Sequence, residues 1–193
     1  MSLLRHADLQ PYNTFGIAAK AEALARFATA DELRGLLAAP ELSAMQRLVL
    51  GGGSNILFTR DFDGLVLLNE VPGITVVRED EDHVEVRAGA GVVWHHLVMH
   101  CVAQGWGGLE NLSLIPGKVG AAPMQNIGAY GVEIKDSFVS LEALRIADGE
   151  IVRFGLSECA FGYRESFFKR DGHDRFIILS CNFQLTKRAH RIR

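Results

Sequence analysis

The sequence has few of the features that define several classes of protein. Its 193 residues include only three cysteines, widely separated and in no spacing typical of a metal site. This argues against a disulfide scaffold and favours a reducing compartment. No apolar run approaches the roughly 20 residues of a membrane-spanning helix, and the N-terminal stretch is charged by Asp8 without the apolar core of a signal peptide. We therefore expect a cytoplasmic protein with no membrane partner.

The sequence also lacks a large excess of positive or negative charge. The formal net charge is −3, and the only basic cluster, residues 187–193, is typical of a solvated tail, so we expect no nucleic-acid partner. His95, His96 and His100 lie close together, but helical spacing places them on the polar side of a predicted helix and no acidic third ligand is near. Solvated histidines are favoured over a zinc site, and no metal is expected.

Helical and strand patterns are both present, and the composition, 48% hydrophobic and 22% charged, is that of a globular protein. One predicted helix begins after Thr29 and ends before Pro40, and a second follows the apolar spacing from Trp94 to Val102. Strands are predicted over 47–50, 65–69, 74–78, 83–89, 176–185 and the two arms of a hairpin around Asp148 and Gly149. A boundary near Pro72 predicts two α+β subdomains, residues 1–70 and 71–193.

Three consecutive glycines stand between two apolar runs, followed by a small polar pair. Gly51, Gly52, Gly53, Ser54 and Asn55 place successive N–H groups where they can converge on a diphosphate. No helix, Lys-Ser/Thr pair or G-x-G-x-x-G spacing follows, which excludes the dinucleotide-binding Rossmann loop and the ATP-type phosphate loop. A flexible hairpin turn is the alternative.

A second stretch rich in small residues covers 115–131. Its small side chains leave room for a flat ring system, and such a long irregular segment is uncommon unless it binds something. The small residues are Gly117, Gly120, Ala121, Ala122 and Gly128. An ordinary irregular connection is the alternative. Two glycine-rich segments in one chain favour one extended ligand, with a diphosphate at one segment and a ring at the other.

Arg164 is the one candidate for a fixed cation. It precedes the aromatic pair Phe167 and Phe168, and its guanidinium suits bidentate recognition of a carboxylate. The alternative is a surface arginine paired with Glu165 or Asp174.

Taken together, four segments in this order resemble the UDP-N-acetylenolpyruvoylglucosamine reductase (MurB) family, flavoenzymes of bacterial peptidoglycan synthesis. The segments are YNTFG, LGGGSNILF, GLENLSLIPGKVGAAPMQNIGAYGVE and FGYRESFFK. The resemblance covers roughly Tyr12 to Leu185, and the central stretch is specific to that family. It implies the α+β FAD-binding fold of the vanillyl-alcohol-oxidase (PCMH) type.

The resemblance implies FAD bound without a covalent link, with its diphosphate on residues 51–55. The isoalloxazine would lie against residues 115–131 and the strand around Ile178. The cofactor-binding residues implied beyond the glycine loop are Ile115, Pro116, Gly117, Gly120, Ala121, Ala122, Gln125, Ile127, Gly128 and Ile178.

The resemblance also implies the reaction. NADPH would supply the hydride that converts the enolpyruvyl ether of UDP-N-acetylglucosamine to UDP-N-acetylmuramate, in cell-wall biogenesis and so in cell shape and division. Arg164 would be the catalytic arginine, with Tyr130 and Tyr163 lining the same substrate cavity. A guanidinium there stabilises the charge that develops on the substrate carboxylate. A monomer is expected.

Two departures from the family pattern stand out. Ala121 and Ala122 occupy positions where relatives often have Gly or Ser, which removes any hydroxyl contact there. Family members also carry a third domain, with a serine proton donor and a glutamate, which this sequence does not contain. We therefore expect a truncated form. The alternatives are a catalytically silent FAD-binding module and, more weakly, an oxidase or dehydrogenase of the wider superfamily.

Overall fold

The computed structural model describes residues 3–187, so most of the predicted basic tail, residues 188–193, lies outside the described residues. The helices are α1 (Ala30–Ala38), α2 (Pro40–Ser43) and α3 (Trp94–Ala103). The strands are β1 (Leu3–Asp8), β2 (Lys20–Phe27), β3 (Gln46–Leu50), β4 (Phe62–Asn69), β5 (Ile74–Glu79), β6 (His83–Gly89), β7 (Gly128–Ala129), β8 (Val132–Glu133), β9 (Phe138–Arg145), β10 (Ile151–Gly155) and β11 (Phe176–Thr186). Short 3-10 helices cover Gln10–Tyr12, Glu110–Leu112, Val119–Gln125, Ile134–Asp136 and Phe167–Lys169. None of the helices in the described part of the chain has the length and apolar character needed to cross a membrane.

The strands form two principal sheets. The first has the order β1-β2-β4-β3, and the second has the order β10-β9-β11-β6-β5. All neighbours in the second sheet are antiparallel, whereas β4 runs parallel to both β2 and β3 in the first. The chain passes from one sheet to the other between Asn69 and Ile74, the stretch that contains the predicted subdomain boundary.

Local signals in the sequence predict several elements that the structure contains. Thr29 caps α1 by accepting a hydrogen bond from the Glu32 N–H at 3.1 Å, and the helix ends before Pro40. The predicted apolar face of α3 is buried, and β9 and β10 pair as the hairpin around Asp148. These elements depend on contacts between residues close in sequence, which is why the sequence alone predicts them.

The connection after the three glycines is not a hairpin. Because β3 and β4 run parallel, residues 51–61 must carry the chain back along the sheet before β4 begins. The alternative of a flexible hairpin turn is therefore wrong. No helix lies between the two strands, in agreement with the exclusion of the Rossmann and ATP-type loops.

The two principal sheets, one in each predicted subdomain, share a hydrophobic core. Alternation along β4 directs Leu65 and Leu67 to one face of the small sheet and Val66 and Leu68 to the other. The first face packs against α1 and against side chains of the larger sheet, which are Leu144, Ile177 and Leu179. These apolar side chains are buried between the sheets, and their burial holds the two sheets together.

A β-bulge in β11 adapts that strand to two cores. Ile177 and Leu179 face the small subdomain, whereas Ile178, Cys181 and Phe183 belong to the core of the larger one. The register against β9 shifts between Ile178 and Ser180, so one extra residue reverses the alternation at this point. The bulge thereby places Ile178 at the junction of the two subdomains.

Candidate functional site

A cleft lies at the junction of the subdomains, and it has two lobes. One lobe, of about 420 Å³, lies between the start of β3, the end of β9 and the start of β11. The other, of about 350 Å³, lies between the glycine loop (residues 51–55), α3 and the second glycine-rich segment. The lobes share six lining residues, Leu48, Val49, Gly51, Ala121, Met124 and His173. We call this continuous space the cleft, and its size is typical of a site for a small molecule or cofactor.

The glycine loop is held in place by the segment that precedes β2. The Thr14 N–H donates to the Gly53 carbonyl at 3.1 Å, and Gly53 has a φ of +65°. A β-carbon at Gly53 would lie 1.9 Å from the Tyr12 carbonyl oxygen, so no other residue fits there. The buried Asn13 side chain fixes this segment through its bonds to the Leu9 and Ile17 backbone.

The loop exposes a run of unpaired donors. Within residues 3–187, the N–H groups of the five residues 51–55 donate to no protein acceptor. Gly53 is buried and Gly51 and Ser54 are half-buried. Buried N–H groups are nearly always paired in folded proteins, so these three make the loop a candidate site for an acceptor from outside the chain. Successive N–H groups directed from such a turn form an anion-binding concavity. This geometry fits the predicted diphosphate.

The two glycine-rich segments meet in the cleft. A β-carbon at Gly52 would lie 3.0 Å from the Cα of Gly117, so the two backbones pack against each other. A β-carbon at Gly51 would lie 3.6 Å from Cβ of Ala121 and 3.8 Å from Cβ of Lys118. A side chain at Gly52 would therefore push the two segments apart, whereas Gly51, which lines both lobes, already lies in van der Waals range of Ala121 and Lys118.

At two of the predicted positions, contacts within the protein itself also require glycine. A β-carbon at Gly120 would lie 2.7 Å from Cβ of Ala90, and the Gly120 N–H donates to the Ala90 carbonyl at 2.9 Å. A β-carbon at Gly128 would lie 2.8 Å from the Val132 carbonyl within the β7–β8 hairpin. At these two positions the absence of a side chain also allows other parts of the protein to approach, while Gly120 still lines the cleft.

Lys118 and Asn69 join the subdomains beside the cleft. The Lys118 Nζ donates to the Asn69 carbonyl at 2.8 Å, and Asn69 Nδ2 donates to the Ile178 carbonyl at 2.8 Å next to the bulge. Both residues line the cleft. Burial lowers the pKa of Lys118 below its ordinary value, because removal from water disfavours the charged ammonium, and the nearby Glu70 opposes that effect.

Most of the residues predicted to bind the cofactor line the cleft. Thirteen of them line one lobe or both: Gly51, Gly52, Gly53, Ser54, Asn55, Pro116, Gly117, Gly120, Ala121, Ala122, Gln125, Ile127 and Ile178. Two do not. Ile115 packs against the core of the larger subdomain instead, and Gly128 lines a different cavity.

Arg164 lines that second cavity, which has a volume of about 460 Å³ and is formed with the β7–β8 hairpin. Tyr163, 87% exposed, lines it too, whereas Tyr130, 74% exposed, lines neither cavity. The prediction that both tyrosines line one cavity with Arg164 is thus corrected, because the tight β7–β8 turn carries Tyr130 into solvent. Lys169 lines the cleft and donates to the Arg164 carbonyl at 3.0 Å, so the two cavities are neighbours.

The guanidinium of Arg164 has a backbone partner. Its Nη2 donates to the Gly128 carbonyl at 3.0 Å. Asp174 pairs with His173, and a Glu165 carboxylate oxygen accepts from the Ser166 N–H at 3.2 Å. Neither carboxylate pairs with Arg164 within the described chain, so the alternative of a surface ion pair to Glu165 or Asp174 is wrong.

The remaining reactive side chains form no further site. No group of three His, Cys, Asp or Glu side chains that could hold a metal comes together between residues 3 and 187. His95 lies 3.2 Å from the Ser113 hydroxyl through Nδ1, and His96 and His100 are exposed. All three cysteines are free and buried, and burial raises the pKa of the Cys101 and Cys159 thiols to about 12.

Several lining residues were not predicted from the sequence. These are chiefly Arg47, Leu48, Asn69, Trp94, Lys118, Met124 and His173. Lys118 and Met124 lie inside the glycine-rich segment, and that position was a signal that could have identified them. The others come from separate elements that meet only through the packing of the two sheets.

Comparison with known families agrees with this geometry. A family model described as "FAD binding domain" matches residues 21–155, more than half of the chain. The chain belongs to this family. Membership confirms the predicted class of cofactor, FAD.

Two curated relatives of this FAD-binding chain carry the same name. UDP-N-acetylenolpyruvoylglucosamine reductase from Burkholderia pseudomallei is 54% identical over 187 residues, and that from Burkholderia vietnamiensis is 55% identical over 188 residues. Each match covers 97% of this chain and 54% of the relative. The chain therefore spans about half the length of the curated relatives it matches.

Solved structures confirm the predicted fold. The crystal structure of UDP-N-acetylenolpyruvylglucosamine reductase (MurB) from Thermus caldophilus matches with a TM-score of 0.75 and 26% identity, over 98% of this chain and 63% of that one. A solvent-stable cholesterol oxidase matches with a TM-score of 0.67 and 15% identity, over 96% of this chain and 38% of that one, which shows a shared fold. The FAD-binding domain thus has the predicted α+β fold of the vanillyl-alcohol-oxidase (PCMH) type.

Proposed function

We propose that the chain is the FAD-binding part of a UDP-N-acetylenolpyruvoylglucosamine reductase. The complete enzyme would reduce the enolpyruvyl ether of UDP-N-acetylglucosamine to UDP-N-acetylmuramate with NADPH, in peptidoglycan synthesis. The observation that carries the proposal is the cleft in which the glycine loop packs against the second glycine-rich segment, with five N–H groups that have no acceptor among residues 3–187. Identity of 54% over nearly the whole chain to curated reductases supports the specific reaction.

The residues present fit FAD. Its diphosphate would accept hydrogen bonds from the N–H groups of residues 51–55, with the side chains of Ser54 and Asn55 as further donors. The two lobes on either side of this loop would take the two ring systems of a dinucleotide. The chemistry that FAD supplies when bound is hydride transfer from NADPH to the substrate.

Arg164 would bind the substrate carboxylate. Its guanidinium is permanently charged and lies in a cavity next to the cleft, tied to it through Lys169. Because the carboxylate gains negative charge as the double bond is reduced, a fixed cation there stabilises the transition state more than the ground state. Tyr163, in the same cavity, would contact the substrate, and Tyr130 would do so only if the exposed turn that carries it closes over the bound molecule.

The second candidate function is a catalytically silent FAD-binding module. The open position of Tyr163 and Arg164 favours it, since the cavity they line is not enclosed by the described residues. In this case the chain would bind FAD but leave a substrate exposed to water. Cytoplasmic location and a monomeric state belong to both candidates as proposals.

A titration of the purified 193-residue chain with FAD tests the proposal. We expect a yellow, one-to-one complex, negligible NADPH turnover with the enolpyruvyl substrate by the chain itself, and turnover by the full-length protein. A correctly folded chain that refuses FAD would overturn both candidates. FAD binding without turnover in the full-length protein would leave only the silent module.

Two matched glycine variants locate the binding to the loop. Gly53→Ala should lose FAD affinity by about a hundredfold, because the added methyl group collides with the Tyr12 carbonyl and displaces the loop. Gly73→Ala, also at positive φ but with nothing within 4 Å of the added carbon, is the control and should keep its affinity.

A further inference from the structure

Arg164 stands at the tip of a tight turn. Gly162 and Glu165 exchange two backbone hydrogen bonds, of 3.0 and 3.3 Å, so that Tyr163 and Arg164 are its central residues. Arg164 has a φ of 52°, at the third turn position, where glycine or asparagine is usual. A long side chain stays in this conformation only where surrounding contacts fix the turn.

Asn126 provides such a contact. It is fully buried and ends the 3-10 helix Val119–Gln125 with a φ of 44°, which asparagine tolerates. Its Nδ2 donates to the Gly162 carbonyl at 3.0 Å, and its Oδ1 accepts from the Lys135 N–H at 3.3 Å. One amide side chain therefore joins the cleft-lining segment, the β7–β8 hairpin region and the turn that carries Arg164.

The guanidinium of Arg164 is hydrogen-bonded to the same segment. Arg164 Nη2 donates to the Gly128 carbonyl, two residues after Asn126. Ile127, between them, lines the cleft. Both the backbone of the turn and the charged end of its side chain are thus placed relative to the wall of the cofactor cleft.

We infer that Asn126 is a positioning residue for Arg164, holding the guanidinium in register with the cofactor cleft. The inference rests on the proposed function, since it requires that Arg164 act on the substrate. Asn126 itself touches neither cavity within the described chain, so it acts through the turn.

A second hydrogen bond attaches the loop independently of Asn126, so positioning of Arg164 can be distinguished from simple attachment of the loop. The fully buried Ser166 donates from its hydroxyl to the Met124 carbonyl at 2.7 Å, just beyond the turn. Loss of the Asn126 side chain leaves this bond in place. The loop should then stay attached while the tip of the turn, with Arg164, loses its fixed position.

Asn126→Gly is the variant that isolates the side chain, because glycine adopts the same positive φ without cost. Ala160→Gly is the matched control, since Ala160 has a φ of 45° in the same loop and no polar side chain. In the FAD complex of the 193-residue chain we expect amide exchange at Glu165 about tenfold faster in Asn126→Gly, and unchanged in Ala160→Gly. FAD affinity should stay within about threefold of the parent. Unchanged exchange at Glu165 would overturn the inference.

The kinetic test uses the full-length protein. Asn126→Gly should lower kcat about tenfold with a smaller change in KM, and the double variant with Arg164→Ala should be no slower than Arg164→Ala alone. Losses that simply add would overturn the inference and leave the proposed function intact. An Arg164→Ala variant with undiminished kcat would instead remove the role of Arg164 from the proposed function, and the inference with it.

A conservative variant covers the case in which Asn126→Gly fails to fold. Asn126→Asp keeps the acceptor for the Lys135 N–H and tolerates the same φ, but it has no donor for the Gly162 carbonyl. It should show the same faster exchange at Glu165. Parent-like exchange together with parent-like kcat would overturn the inference.

Discussion

Gly52 and Gly117 pack backbone against backbone across the cleft. A β-carbon on Gly52 would lie 3.0 Å from the Cα of Gly117, which itself has a φ of +116°. One residue belongs to the small subdomain and the other to the larger one. The two backbones approach this closely because neither position carries a side chain.

Gly52→Ala should lower FAD affinity by about tenfold, because the added methyl group moderately overpacks the contact with Gly117. The added carbon forces the Gly117 backbone back by a few tenths of an ångström and widens the point where the diphosphate would lie. Fluorescence quenching of FAD gives the dissociation constant. Gly35→Ala, where the added carbon in α1 meets nothing within 4 Å, is the control: its FAD affinity should be unchanged, and its free energy of unfolding should rise by up to about 1 kcal/mol.

Arg164→Ala in the full-length protein should lower kcat by about a hundredfold, because the charge developing on the carboxylate loses its fixed cation. Arg164→Lys should recover little, since an ammonium lacks the paired donors of a guanidinium. FAD affinity should be unchanged, because Arg164 lines the separate cavity. Arg170→Ala, an exposed arginine in the same loop, should retain full activity. A parent-like kcat for Arg164→Ala would return the residue to a surface role.

Asn69→Ala should lower the free energy of unfolding by about 1–3 kcal/mol, because the Ile178 carbonyl beside the bulge loses its buried donor. Urea unfolding followed by circular dichroism measures the change. Gln10→Ala removes an exposed bond to the Gly16 carbonyl and should cost less than about 0.5 kcal/mol. Equal losses in the two variants would show that the Asn69 bond does not join the subdomains.

Lys118 should lose its proton at a lower pH than Lys135. Burial lowers the pKa of Lys118, whereas the hydrogen bond to Glu133 raises the pKa of Lys135. Only the neutral amine reacts with an acylating reagent, so the labelling rate of Lys118 should reach its plateau at lower pH. Peptide mass spectrometry of samples labelled across alkaline pH measures both rates. Bound FAD should slow the labelling of Lys118, which lines the cleft, and coincident titration curves would contradict the burial effect.

Structural elements that depend on residues close together in the sequence could be predicted from the sequence. The cap of α1 at Thr29, the buried face of α3 and the β9–β10 hairpin each depend on residues a few positions apart. The glycine loop could also be recognised, because its three glycines and two small polar residues are consecutive in the sequence. The parallel pairing of β3 and β4 could not, since it depends on residues brought together only by the sheet.

The site residues also divide into those that could be predicted from the sequence and those that only the fold brings together. The predicted lining residues were drawn from two contiguous segments, and the structure adds positions such as Arg47, Asn69 and His173 from separate elements. Gly120 lines the cleft as predicted, and its missing side chain also makes space for Ala90. A small residue permits close approach without specifying what approaches, so its partner is known only from the fold.

The amino-acid sequence by itself determined the local elements, because capping and side-chain periodicity are local properties, and it placed together the glycines and small polar residues that we predict hold a diphosphate. Tertiary structure alone decided that Gly52 meets Gly117, that Lys118 lies beside Asn69, and that Arg164 occupies a cavity next to the cleft. These relations join residues from different subdomains or distant segments, and the packing of two sheets around a shared apolar core sets the distances between them.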